Sequence, residues 1–270
     1  MQNRWFISTS ATLHNFCYIK AIKYIGYCGW PHQNMKTLYI TGAGVSAESG
    51  IPTFRGEDGF WKIGSQNYTP MEMATRAMYR QKPAEFLAWY YHRFATYRHH
   101  GPNEVHYWLK DKNLITQNID GLDGKAGNKN YLAIHGRLDQ MTVFHEQGEM
   151  VDIITAPWDL VDESQLTQSL LDIFKIANHP ELNHSFKPYV LLFDEFYSDL
   201  YRIEEATSRM RQCDKIIFMG TSFSVNITNM ALDIAMKNQI EVEVVDPKPV
   251  ILPYSKVVYH TMTAIEYINR

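Results

Sequence analysis

Short apolar runs, separated by longer stretches of helical periodicity, organise most of the chain. TLYIT (37–41), NLITQ (113–117), PYVLLF (188–193), KIIFMG (215–220) and EVEVVD (241–246) are rich in Val, Ile and aromatics, with loop-forming residues after them. Such runs predict strands buried on both faces, as in a parallel sheet. Between them, 83–98, 103–112, 163–179 and 198–213 keep apolar residues at helical spacing, and Pro83 suits a first helical turn. Strands alternating with helices predict an α/β fold, a Rossmann-like doubly wound parallel sheet with ligands beyond the carboxyl ends of its strands. From about 137 to 187 the period loosens, which marks a small inserted module.

Composition narrows the function classes. The 270 residues are 45% hydrophobic and 20% charged, enough to fill a sizeable core. A net charge of -3 gives no basic field for a nucleic acid. Cys17, Cys28 and Cys213 are too scattered for a disulfide framework, so a reducing, cytoplasmic setting is expected. No stretch approaches the roughly 18–20 apolar residues that span a bilayer. Residues 1–34 lack Asp and Glu and carry Arg4, Lys20 and Lys23. They read as an N-terminal extension ahead of a natural start at Met35, although an acid-free basic leader also suits a targeting segment.

The chemistry should lie in the strand-end loops. After the first run comes GAGVSAESGIPTFRG (42–56), where Gly42 and Gly44 allow backbone N–H groups to approach a pyrophosphate. A helix beginning at Val45–Ser49 would be stopped by Gly50-Ile51-Pro52, much earlier than a Rossmann crossover helix. In ITQNIDGL, the amides of Gln117 and Asn118 suit a carboxamide or a ribose hydroxyl, and Asp120 can accept from an amide N–H; an Asn/Asp turn explains them equally. His135, before Gly136, is either a structural histidine or a general base for a hydroxyl. GTSFSVN (220–226) is a third glycine-and-hydroxyl loop, and Asp246 is placed to hold a ribose diol or to close a turn before Pro247.

Together, GAGxSxxSGIPxFR, TQNID, HG and GTS, in that order, resemble the sirtuins, NAD-dependent protein deacylases, over roughly residues 36–250. The resemblance implies an NAD site lined by Gly42, Ala43, Gly44, Ala47, Thr53, Phe54 and Arg55, with Phe54 on a mobile loop. It further implies that Gln117, Asn118, Ile119 and Asp120 hold the nicotinamide and its ribose. Gly220, Thr221 and Ser222 would contact the adenosine half, with Asp246 where the family usually has Asn. His135 would be the general base, and with Asn118 would form the catalytic pair. NAD would be consumed: the acyl-lysine oxygen attacks C1′, nicotinamide leaves, and the acyl group ends on ADP-ribose.

Within that resemblance, Tyr90 and Arg93 match the Tyr-x-x-Arg pattern of sirtuins that remove succinyl and malonyl groups. The alternative is a core tyrosine beside a surface cation. KPYVLLFDEFY (187–197) matches the loop along which a substrate peptide pairs as an added strand, with Val190 and Phe193 as substrate-binding residues. Asp194 stands where that loop has Gly. The usual zinc cysteines are missing between His135 and Lys187, and His145, His179 and His184 are irregularly spaced. The expectation is a module that folds without zinc around Trp158, Leu160, Leu170, Leu171 and Phe174. The implied partner is an acyl-lysine protein or peptide, with neither nucleic acid nor membrane. An NAD glycohydrolase or ADP-ribosyltransferase would use the same site, and a nucleotide sensor would need neither Asn118 nor His135. No GxGxxG supports an oxidoreductase.

Overall fold

A computed structural model describes residues 37–53 and 68–270. The extension 1–34, Phe54 and Arg55 lie outside the described residues. The strands are β1 (Thr37–Thr41), β2 (Asn113–Thr116), β3 (Leu132–Ala133), β4 (Gly136–Val143), β5 (Ile153–Thr155), β6 (Phe186–Val190), β7 (Lys215–Met219), β8 (Glu241–Val245) and β9 (Val257–His260). The helices are α1 (Pro70–Met73), α2 (Arg76–Gln81), α3 (Pro83–Tyr97), α4 (Glu104–Trp108), α5 (Leu122–Lys125), α6 (Leu166–Ile173), α7 (Ile203–Gln212), α8 (Asn226–Asn238) and α9 (Ala264–Ile268).

Among the described residues, the main sheet has six parallel strands in the order β3-β2-β1-β7-β8-β9. Its two faces follow from strand alternation. Leu38, Ile40, Ile216 and Phe218 pack with α7 and α8, whereas Tyr39, Leu114, Ile217 and Met219 pack with α4 and α9. Strand order runs outward in opposite directions from the β1–β7 pair, where Thr41 lies opposite Met219. That switch point opens a crevice at the strands' carboxyl ends.

The second sheet is antiparallel, in the order β5-β4-β6. Here the structure corrects the sequence reading: 188–193 is not a strand of the parallel sheet. Its first residues complete β6, which pairs with β4 through Met141 opposite Pro188. Proline lacks the N–H that a central strand needs, and it sits here on an edge strand. The antiparallel sheet runs on to Val190, and α1–α3 pack on it. Tyr79, Phe86, Tyr90, Phe144, Trp158, Leu170 and Phe174 share one core, with Leu171 half-buried against it. Leu160 is corrected too: it is 75% exposed. The 3₁₀ turn 158–160 aims Trp158 inward, its Nε1–H on the Leu138 carbonyl at 2.7 Å, and two residues further on the turn faces solvent.

Candidate active site

At the switch point two glycine loops meet backbone to backbone. Gly42 N–H donates to the Met219 carbonyl at 3.0 Å, and Gly44 N–H to that of Gly220 at 2.9 Å. A Cβ at Gly44 would come 2.5 Å from Gly220 Cα, so neither loop has room for a side chain there. The helix after Gly42 is a single 3₁₀ stretch, Ala43–Ser49, stopped by Gly50 at φ 77°. Ala43 is half-buried and Ala47 exposed along it, and Thr53 is half-buried beyond it.

The amide loop after β2 ties both glycine loops together. Gln117 Nε2 donates to the Thr41 carbonyl and to Thr221 Oγ1, each at 3.0 Å. Asn118 Nδ2 donates to the Gly42 carbonyl and to Ser46 Oγ, each at 3.1 Å. Ser46 in turn donates to Asp120 Oδ2 at 2.7 Å, and His106 Nε2 lies 3.5 Å from the same hydroxyl. Burial holds His106 below the ordinary imidazole range, against the opposing pull of Asp120. The Asp120 Oδ1 accepts from Leu122 N–H, Ile119 packs partly buried against the module core, and Ser222 pairs with Ser224 at 2.7 Å. Asp246 caps the turn at Lys248 N–H at 2.8 Å.

His135 lies where the two sheets meet. Its Nδ1 is 2.9 Å from the Gln117 carbonyl, which only accepts, so Nδ1 carries the proton. The lone pair of the neutral ring is then on Nε2, 2.9 Å from the Tyr197 hydroxyl. Desolvation, opposed by the Gln117 carbonyl, pushes the ring down to about 4. At neutral pH it is an unprotonated base.

On the module side, Tyr90 is a core residue, 1% exposed, between Phe86 and Trp89. Arg93 is not a surface cation: it is 8% exposed, stacked 3.6 Å over the Trp89 ring, and desolvation pushes it down to about 10. Val190 is buried, and its carbonyl holds Lys187 Nζ at 2.9 Å, while Phe193 is 49% exposed. Asp194 shows no strain, since left-handed non-glycine backbone occurs at other residues. Its carboxylate instead accepts from the first N–H groups of α2, Arg76 at 2.7 Å and Ala77 at 3.2 Å. Beside it the buried Glu195 joins Arg76 at 2.9 Å and Lys187 at 3.4 Å.

A profile of the Sir2 family matches residues 42–227. The chain belongs to the Sir2 family. It is 33% identical over 202 residues to the NAD-dependent protein deacylase of Leptospira interrogans, covering 71% of this chain and 73% of the relative. It is 30% identical over 249 residues to NAD-dependent protein deacylase 1 of Caldanaerobacter subterraneus, covering 88% and 92%. Its structure is similar to that of a Sir2 homologue in complex with NAD, with a TM-score of 0.65, 26% identity and 87% of each chain covered.

Among the described residues of this Sir2 family member, no group of three or more His, Cys, Asp or Glu side chains is placed to hold a metal ion, and Cys213 is buried in the main-sheet core. No helix among the described residues is long and apolar enough to cross a membrane. Gly42, Gly44, Gln117, Asn118, Asp120, Gly220 and Thr221 meet at the switch point. Sequence reasoning assigned no role to Ser46, His106 or Tyr197. Ser46 lies inside the quoted glycine motif, and His106 breaks the apolar face of 103–112 between Val105 and Leu109, both fully buried. Nothing in the sequence pattern marks Tyr197.

Proposed function

We propose that this Sir2 family member is an NAD-dependent protein-lysine deacylase that prefers acidic acyl groups, succinyl and malonyl over acetyl. The observation that carries the reading is the neutral His135, its lone pair on Nε2 and its Nδ1–H on Gln117, joined to the loops from the switch point. Bound NAD supplies the electrophilic C1′ and the nicotinamide leaving group. Asn118 and Asp120, fixed through Ser46, orient the nicotinamide end, and Gly220 to Ser222 hold the adenosine half. His135 takes a ribose hydroxyl proton at Nε2, and its bond to Gln117 steadies the resulting imidazolium.

Acyl preference is supported by Arg93, a guanidinium buried beside Tyr90 one helical turn away. A carboxylate reaching it there gains more than it would at a solvated surface. The apolar core of the module supports folding without zinc, and the scattered cysteines suit a cytoplasmic setting. A second reading, NAD glycohydrolase, is favoured by the substrate loop's engaged backbone: Phe193 N–H already donates to Ala74, and Gln147 bonds both Asp194 and Phe196.

The test is incubation with NAD and acetyl- or succinyl-lysine peptide, with products followed by mass spectrometry. O-succinyl-ADP-ribose that forms faster than the acetyl product is expected, and the preference should collapse in Arg93→Met. ADP-ribose released at the same rate without peptide would favour the glycohydrolase.

A further inference from the structure

His135 offers one nitrogen to the reaction, and that nitrogen is already engaged. Tyr197 comes from the loop after β6 and stacks on the imidazole at a centroid distance of 5.9 Å and an interplanar angle of 30°. Its hydroxyl is 2.9 Å from Nε2. Because Nδ1–H is committed to Gln117, the phenol must donate and Nε2 accept. A chain therefore runs from Tyr197 O–H to His135 Nε2, and from Nδ1–H to the Gln117 carbonyl.

We propose that Tyr197 is a positioning residue for the deacylation step: its hydroxyl holds the His135 lone pair in the place, and with the polarity, of the ribose hydroxyl that the base will deprotonate. The inference rests on His135 being the general base. When the ribose arrives, its O–H replaces the phenol at Nε2. The ribose O–H bond then breaks, the proton forms Nε2–H, and Nδ1–H stays on Gln117. Tyr197 itself neither gains nor loses a proton. Until then the phenol keeps the ring neutral and in one tautomer. Burial acts on both rings, pushing His135 down and Tyr197 up to about 12, opposed by the Gln117 carbonyl and the Ile227 N–H. No charged side chain figures among these influences.

A donor to an imine nitrogen stabilises the neutral ring, so removing it raises the basicity of His135. The full chain, labelled at histidine Cε1, is titrated by NMR as wild type, Tyr197→Phe and Tyr197→Leu, with the His135 signal assigned by its loss in His135→Gln. In both Tyr197 variants the His135 midpoint should move up by about half to one pH unit, the size of one lost hydrogen bond. The acidic limb of kcat/KM, which needs the neutral base, should move up with it. An unchanged His135 titration overturns the assignment, and a shifted titration with an unmoved rate profile removes Tyr197 from the reaction. Failure of the base reading shows separately, as full turnover by His135→Gln.

Discussion

The two halves of the site are held by different forces. At the switch point of the parallel sheet, contacts are short and mostly between neutral groups: glycine against glycine, and amides onto carbonyls. Around the antiparallel module, the loop after β6 is held by buried charge. Glu195 lies between Arg76 and Lys187, and Asp194 caps α2 across more than a hundred residues of chain. Neutral contacts tolerate pH and salt but not added atoms. Buried charges tolerate some rearrangement but not the loss of a partner.

The sharpest way to break this contrast is Glu195→Gln. It leaves Lys187 fully buried without its carboxylate, which should cost on the order of 3–5 kcal/mol in denaturant unfolding. Desolvation alone would raise Glu195, but Lys187, the Leu192 N–H and Arg76 hold it below the ordinary carboxylate range. Its contribution is therefore present above the unfolded value, near 4, and is lost as pH falls through the lower folded one. A loss under about 1 kcal/mol would show that the charges are dispensable and the contrast false. On the neutral side, Gly44→Ala should cost about 1–3 kcal/mol through overpacking and raise KM for NAD roughly tenfold or more, with no salt dependence. An unchanged KM would mean that the loops part freely.

Asp123 tests whether the neutral half is neutral throughout. Burial, then the Asp120 carboxylate, pushes its carboxyl up to about 7. This raised group stabilises the fold fully below the unfolded value, near 4, and that stability is lost as pH rises through about 7. Asp123→Asn should therefore be more stable than wild type at pH 8, on the order of 1–2 kcal/mol, and lose that advantage at pH 5. Thermal melts at the two pH values would decide; equal gains at both would sink the assignment. The smallest effect is expected for Asp194→Ala, about 1 kcal/mol from two lost cap bonds, seen as a melting shift of roughly 2–4 °C.

The same division explains what was legible in the chain. β1, β2 and β7 are short apolar runs, β8 alternates Glu with Val, and the switch-point loops carry Gly42, Gln117, Asn118 and Thr221 in plain view, since a local motif encodes a local shape. β6 was misassigned because an apolar run looks alike in either kind of sheet, although Pro188 marked it as an edge. The ionic contacts of Arg76 and the bond from Tyr197 to His135 join residues far apart in sequence, where no periodicity reaches. Leu160 went wrong for a smaller reason, its phase on a 3₁₀ turn.

The close approach of Gly44 and Gly220 also limits how this protein can drift. A side chain on either residue lands on the backbone of the other: a Cβ at Gly220 would come 2.7 Å from Gly44 Cα. No second substitution at the partner can relieve the first, because each glycine already lacks any atom to give up. The two loops can move through sequence space only by changing their backbones together, which also shifts the carbonyl that Asn118 grips.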